Sequence, residues 1–456
     1  MKRRTKLMLL LGILALLLGA TLLVTMLEPG NEAREEEPKT VVFSVDPEAI
    51  TELGWDYSEK VLFRAGEDGW VLDGDSTFPV ETGYLDRMRS ALSEITASKT
   101  IEGVENWDQY GLEVPVCTVT VTTDATYTLS IGLETGISGE RYFSNGDGKV
   151  YLVDASLLDT FSYGLYDILK YETIPDMDAV TGLEVVSDAQ AYTITRRENS
   201  GLTYSDDYVW FWGEKALDTE RTEDLISTVT DLYWYACVNY NAADLSRYGL
   251  ETPAARVTVT YQETGAAAET EQDAAFALEL GTGTDGGSYA RIAGSRMVYS
   301  VDPSVLDTLL YTTDSELQPD EVLRMDWEEL VSMDVILDGQ TYSFVRSTKT
   351  VTGEDGTETE ETVYTLNGEE VKAQTILDAL DGISSTGYAT GLTPERSEEI
   401  RFVFRRDRET FPEVELAFYK YDSTSCMTTL NGAATVFADR EAVVALVEAV
   451  NALVLG

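Results

Sequence analysis

Apolar and polar residues alternate in short runs along most of this chain, and one arrangement of runs returns three times. Such alternation predicts half-buried strands. Each copy opens with a strand: Asp46 to Leu53, Asp178 to Leu183, and Asp326 to Met333. A second strand follows at Lys60–Arg64, Ala191–Thr195 and Thr341–Val345. A third carries Trp70, Trp210 or Tyr364 at matching places. The period then changes to that of a helix. Leu85, Met88, Leu92 and Ile95 share one face in the first copy, Leu225, Val229 and Leu232 in the second, and Ile376, Leu377, Leu380 and Ile383 in the third. One apolar stripe with a charged opposite face predicts a helix laid on a sheet, so these aromatic and Met positions are core positions.

A turn signature follows each helix. The first copy has Tyr110-Gly111-Leu112-Glu113-Val114-Pro115 and the second Tyr248-Gly249-Leu250-Glu251-Thr252-Pro253. The third has only Thr390-Gly391-Leu392-Thr393-Pro394. The glycines are 138 and then 142 positions apart. Glycine accepts a left-handed backbone at low cost and can close a helical turn. Leu would then point inward, and Pro opens the next strand. Hairpins complete the unit, Thr118–Thr122 with Tyr127–Ile131 and Val257–Tyr261 with Phe276–Leu280, with Gly132 and Gly281 beginning a turn. A strand running into a helix closes each copy, at Val150–Phe161, Val298–Leu309 and Val436–Val444. Two insertions, Glu263–Ala275 and Ser347–Thr362, are expected as exposed loops. The C-terminal run Ala442–Val454 is expected as a packed amphipathic helix, since it carries Glu448 and Asn451.

The start of the chain has a different pattern. Residues 1–6 are a basic lead, and Leu7 to Leu27 carry no charge. About 20 apolar residues span a bilayer as a helix, and the small-residue cleavage pattern of a signal peptide is poor here. An uncleaved signal-anchor over 7–27 is expected, with the N-terminus cytoplasmic by the positive-inside rule and the bulk of the chain extracytoplasmic. Residues 28–40 form a linker. Three units are expected to follow, at 41–172, 173–320 and a divergent 321–456. The fold class expected is α+β: a transmembrane helix, then three tandem mixed-sheet repeat units, each with a packed helix.

Charge and composition narrow the chemistry. The 456 residues include 81 acids against 33 bases, a net charge of −48, and every acid lies beyond residue 27. Such a surface repels nucleic acid and anionic headgroups, and it keeps the protein soluble by self-repulsion. There is no histidine. That removes Ser-His-Asp and Cys-His catalysis, His-ligated zinc and imidazole pH switching. The three cysteines, Cys117, Cys237 and Cys426, are scattered without a CxxC, so buried thiols are expected and not a disulfide framework.

The remaining motifs are weak. Leu72-Asp73-Gly74-Asp75-Ser76 and Ser144-Asn145-Gly146-Asp147-Gly148 resemble pieces of calcium loops but lack the closing Glu, and tight turns are expected. Gly281-Thr282-Gly283-Thr284-Asp285-Gly286-Gly287 lacks the Lys-Ser/Thr of a phosphate loop. No catalytic, cofactor-binding or metal-binding residue is assigned, and no cofactor is expected.

The signal-anchor, the Trp70 and Trp210 strands, the Tyr-Gly-Leu-x-x-Pro elements, Gly132, Gly281 and the Val150-Tyr151 and Val298-Tyr299 strands together resemble the domain-of-unknown-function 4340 family. The resemblance covers residues 41 to about 316 and is weak beyond about 320. It implies an extracytoplasmic accessory subunit, since members are often encoded beside an ABC-type transporter. The function expected is a non-enzymatic, membrane-anchored interaction module accessory to an ABC-type membrane complex, binding no nucleic acid. The alternatives are an independent surface-binding protein for wall glycan or peptide, and a carboxylate-based wall hydrolase.

Overall fold

The computed structural model describes residues 39–136, 139–198, 201–263, 272–352 and 358–455. The basic lead, the apolar segment 7–27 and most of the linker lie outside the described residues. Among the described residues, no helix is long and apolar enough to cross a membrane. The chain divides into two compact parts, one ending at Tyr171 and one running from Glu172.

Three nine-stranded sheets follow one another along the chain. Numbered within its own sheet, the strand order is 4-3-2-1-6-7-8-9-5 in repeat 2 and the same in repeat 3. Repeat 1 keeps this order with two changes at its margins. Its fourth strand shrinks to an isolated Leu72–Asp75 bridge, and Thr40–Phe43 is added at the other edge beside Ile95–Ile101. The third repeat, divergent in sequence, is therefore complete in topology. Every strand pairing is antiparallel, so the tandem α+β units are built on antiparallel sheets where mixed ones are expected. The physical reason is connectivity: most neighbouring strands are consecutive in the chain and joined as hairpins, and parallel pairing needs a long crossover.

Each sheet carries two helices that pack on each other, the second being the helix expected where a strand closes each copy: α1 (Thr82–Leu92) with α2 (Leu157–Phe161), α3 (Thr219–Thr230) with α4 (Pro303–Tyr311), and α5 (Gln374–Asp381) with α6 (Arg440–Val454). Side-chain caps fix several starts. Asp218, Asp302 and Asp439 accept backbone N–H groups in the first turns of α3, α4 and α6. The helical stripes face the sheets. Leu85, Met88 and Leu92 are fully buried, as are Ile376 and Leu377. Strand Cys117–Thr122 alternates buried and half-buried positions along its whole length, which is the period-2 pattern that puts one face in the core. In repeat 1 that core holds Trp55 stacked on Phe63 at 5.9 Å. The Trp55 indole N–H donates to the Tyr163 carbonyl at 2.7 Å.

Register confirms the matched aromatics. Trp70 pairs with Ala65, Trp210 with Arg196 and Tyr364 with Arg346, each at the equivalent place of its sheet. Other expectations need correction. Pro47–Ala49 and Trp327–Glu329 are short 3-10 turns, opened by Asp46 and Asp326, that lead into strands Glu52–Asp56 and Leu330–Leu337. In each, the opening Asp accepts a backbone N–H two residues on and so competes with strand pairing. The insertion at 347–362 is not a loop: strands Gln340–Thr352 and Glu358–Leu366 stay paired to Thr352–Glu358, and 353–357 lie outside the described residues. Likewise Ala255–Glu263 and Gln272–Thr282 stay paired to Glu263–Gln272. The Thr- and Val-containing flanks carry enough β-propensity to extend the hairpins.

The cysteines are all buried and form no disulfide. Burial pushes the Cys117 thiol up to about 12, and Cys237 and Cys426 up to about 11. The thiolate is the reactive species. A maleimide at pH 8 is therefore expected to leave the folded protein unlabelled and to label three sites in denaturant, as read by intact mass. Rapid labelling of native protein would contradict this burial.

Candidate functional site

The Tyr-Gly-Leu elements are built from a 3-10 turn closed by a left-handed glycine. Asp108–Tyr110 ends at Gly111 with φ 64°, and Ser246–Tyr248 ends at Gly249 with φ 68°. The turn lies against the neighbouring strand at a second glycine, so Gly132 and Gly281 do not begin turns. They lie inside strands Thr126–Glu134 and Gln272–Thr282. A Cβ on Gly132 would meet the Tyr110 carbonyl oxygen at 2.3 Å, and one on Gly281 would meet the Gly249 carbonyl oxygen at 2.3 Å. Only glycine permits so close an approach of two backbones. A pair of rings closes over it: Tyr110 with Tyr142 at 4.8 Å, and Tyr248 with Tyr289 at 5.1 Å. Leu112 and Leu250 are buried as expected. In repeat 2 the element makes a small apolar cluster of its own, formed by Ala242, Tyr248, Leu250 and Val298.

Repeat 3 keeps the first glycine and departs from this around it. Pairing of Ile400 with Phe418 corresponds to Ala255 with Leu280 and Cys117 with Ile131, so Tyr419 stands where the other repeats have glycine. Met427 opposes Tyr419 as Tyr289 opposes Gly281. Thr390 replaces the first tyrosine. Gly391 is still left-handed, with φ 82°, but a Cβ there would meet nothing within 4 Å, and Leu392 is 47% exposed.

A second feature lies between the sheets of repeats 2 and 3. A cleft of about 460 Å³ is lined by Asp206 and Asp207 of the loop before strand Trp210–Trp212, by Glu321, Arg324 and Trp327 of the connecting segment, and by Asp381 and Arg408 of repeat 3. Its charges are mostly paired. Arg408 meets Asp206 at 2.5 Å and Glu329 at 3.2 Å, and Arg324 meets Asp207 at 2.8 Å and Glu321 at 3.1 Å. The Trp327 indole N–H donates to both Asp381 oxygens, at 2.9 and 3.0 Å. Burial pushes the Asp381 carboxyl up despite that bond. Tyr208 donates to Glu321 at 3.0 Å, and burial first, then Glu321, pushes its phenol up. Tyr204 adds an apolar tie, packing edge-on against Phe411 at 4.8 Å. The cleft therefore works chemically as a polar clamp that fixes repeat 2 to repeat 3.

The calcium-like fragments form turns. The Asp75 carboxylate accepts the Thr77 N–H and O–H. Asn145 accepts the Asp147 N–H, and Asp147 accepts both the Lys149 N–H and the Tyr151 O–H. Among the described residues, no three Cys, Asp or Glu side chains gather as a metal site. Residues 283–287 form the turn between strands Gln272–Thr282 and Ser288–Ile292, while Gly281 and Thr282 are still paired within the first of them. Sequence reading missed the cleft, whose residues are scattered over three segments. The third turn left a signal: the absent tyrosine and the absent second glycine.

The fold defines a tandem antiparallel α+β repeat protein. The chain belongs to the family described as Domain of unknown function (DUF4340), which matches residues 70–232 and 213–402 and so covers more than half of it. The match reaches well into repeat 3, beyond the point near residue 320 where the sequence resemblance weakens. No curated protein matches the chain.

Proposed function

We propose that this protein is a non-enzymatic interaction module, held at the membrane by residues 7–27 with its repeats outside the cytoplasm, and accessory to an ABC-type membrane complex. The observation that carries the reading is the repetition of one sheet topology three times in tandem. Repeats of this kind supply extended surface, and reaction centres seldom recur once per repeat. The state of the polar groups supports it. The acidic cleft spends both of its guanidinium groups, together with Asp206, Asp207 and Glu321, on ion pairs about the joint between repeats 2 and 3. The absence of histidine removes the commonest general base.

The test is gentle detergent extraction of the tagged full-length protein followed by mass spectrometry of what co-purifies. Recovery of a permease and its ATPase in fixed ratio is the expected result. Recovery of the protein alone would overturn the accessory reading.

A further inference from the structure

We infer that repeat 3 binds a small monocarboxylate carrying a ring, in the cavity left where its turn does not seat. The inference is independent of the accessory role. The first two repeats act as internal controls for it. In both, the turn closes directly on a strand glycine, with less than a Cβ's room between the backbones. Tyr419 at that position makes the same closure impossible, because the clash is with backbone that cannot swing away. The segment from Gly391 to Ile400 is also longer than Gly111 to Cys117 or Gly249 to Ala255. The result is an open cavity of about 580 Å³ over the outer face of the sheet. That is within the range of about 300–1,000 Å³ usual for small-molecule sites.

The lining specifies the ligand. Arg396 and Lys420 contribute two cations, and neither has an ion-pair partner among the described residues. A guanidinium fork matches a carboxylate with two parallel hydrogen bonds. Tyr421 is 43% exposed and backed by Phe437 at 4.6 Å, so one ring face is held in place and open. Rings and sugar faces stack on such a surface. Two acids bound the charge that can enter. Asp422 accepts the Thr424 and Ser425 N–H groups, which hold its carboxyl below the usual range and keep it ionised. Glu395 is the other. With two anions beside two cations, a single carboxylate bearing hydrogen-bond donors fits, and a phosphate or polyanion is repelled.

The experiment is titration calorimetry of the full-length protein in detergent with two matched pairs, D-glucuronate with D-glucose and N-acetyltyrosine with its amide. Each pair keeps the ring and removes the carboxylate, and the two pairs separate a sugar ring from an aromatic one. Saturable binding of at least one acid is expected, at least about tenfold tighter than its neutral mate. R396Q is expected to weaken it by about tenfold with an unchanged melting temperature, because Arg396 is exposed and makes no ion pair among the described residues. R247Q, beside the closed turn of repeat 2, is expected to leave it unchanged. The inference is overturned if neither acid saturates below about 10 mM, if the neutral mates bind equally well, or if R396Q binds as the parent does.

Discussion

Gly281→Ala is expected to destabilise repeat 2 by about 3 kcal/mol, against about 1 kcal/mol for Gly391→Ala in repeat 3. The added atom is the same in both, so the difference isolates what surrounds it. At Gly281 a Cβ would lie 2.3 Å from the Gly249 carbonyl oxygen and 2.7 Å from its carbon. Both are backbone, so relief requires the turn to lift as a body. Lifting it exposes Leu250 and separates Tyr248 from Tyr289. At Gly391 a Cβ would touch nothing, and the cost is only that of holding an L-residue at φ 82°. Hydrogen exchange read by mass spectrometry resolves the repeats separately. Faster exchange across strand Gln272–Thr282 in the Gly281 variant, with little change in the Gly391 variant, is the expected pattern. Equal effects at the two glycines would refute the close-packed turn.

This contrast also shows what could be read in the sequence. Alternation located the paired strands, because the side-chain period of a sheet is set by the backbone and survives divergence. The hairpin of Cys117–Thr122 with Thr126–Glu134 and the strand-to-helix closures needed nothing more. Recurrence of Gly111, Gly249 and Gly391 correctly signalled a left-handed backbone. It could not show that Gly132 and Gly281 serve the same turn from another strand, since that contact is between backbones and leaves no periodicity. The order of strands within the sheets was equally hidden. It depends on which edges meet after the helix, and no local pattern encodes that choice. The polar clamp was illegible for a related reason: Asp206, Arg324 and Arg408 come together only when two repeats are joined. In a chain with 81 acids, a particular carboxylate carries no signal until its partner is known.

The clamp includes one group whose response to mutation is asymmetric. Arg406 ends strand Glu398–Arg406, and its side chain is fully buried. It donates to Glu329, which also receives Arg408 at 3.2 Å. Two other Arg406 nitrogens, Nε and Nη1, have no hydrogen-bond partner among the described residues. The pair is therefore incompletely satisfied, and its net contribution to stability is small because desolvation offsets the attraction. Removing one charge has a different consequence from removing the whole interaction. Glu329→Gln leaves a buried guanidinium without a counter-ion and is expected to cost about 3 kcal/mol. Arg406→Met keeps the volume, removes the two unsatisfied donors and leaves a carboxylate that Arg408 still neutralises. Its expected cost is below about 1 kcal/mol. The double variant should then recover most of what Glu329→Gln loses. Urea unfolding of the three variants, followed by exchange in strands Leu330–Leu337 and Glu398–Arg406, measures this cycle. If Arg406→Met is as damaging as Glu329→Gln, the guanidinium itself stabilises repeat 3, and its buried nitrogens must be solvated in a way that the protein groups around them do not provide.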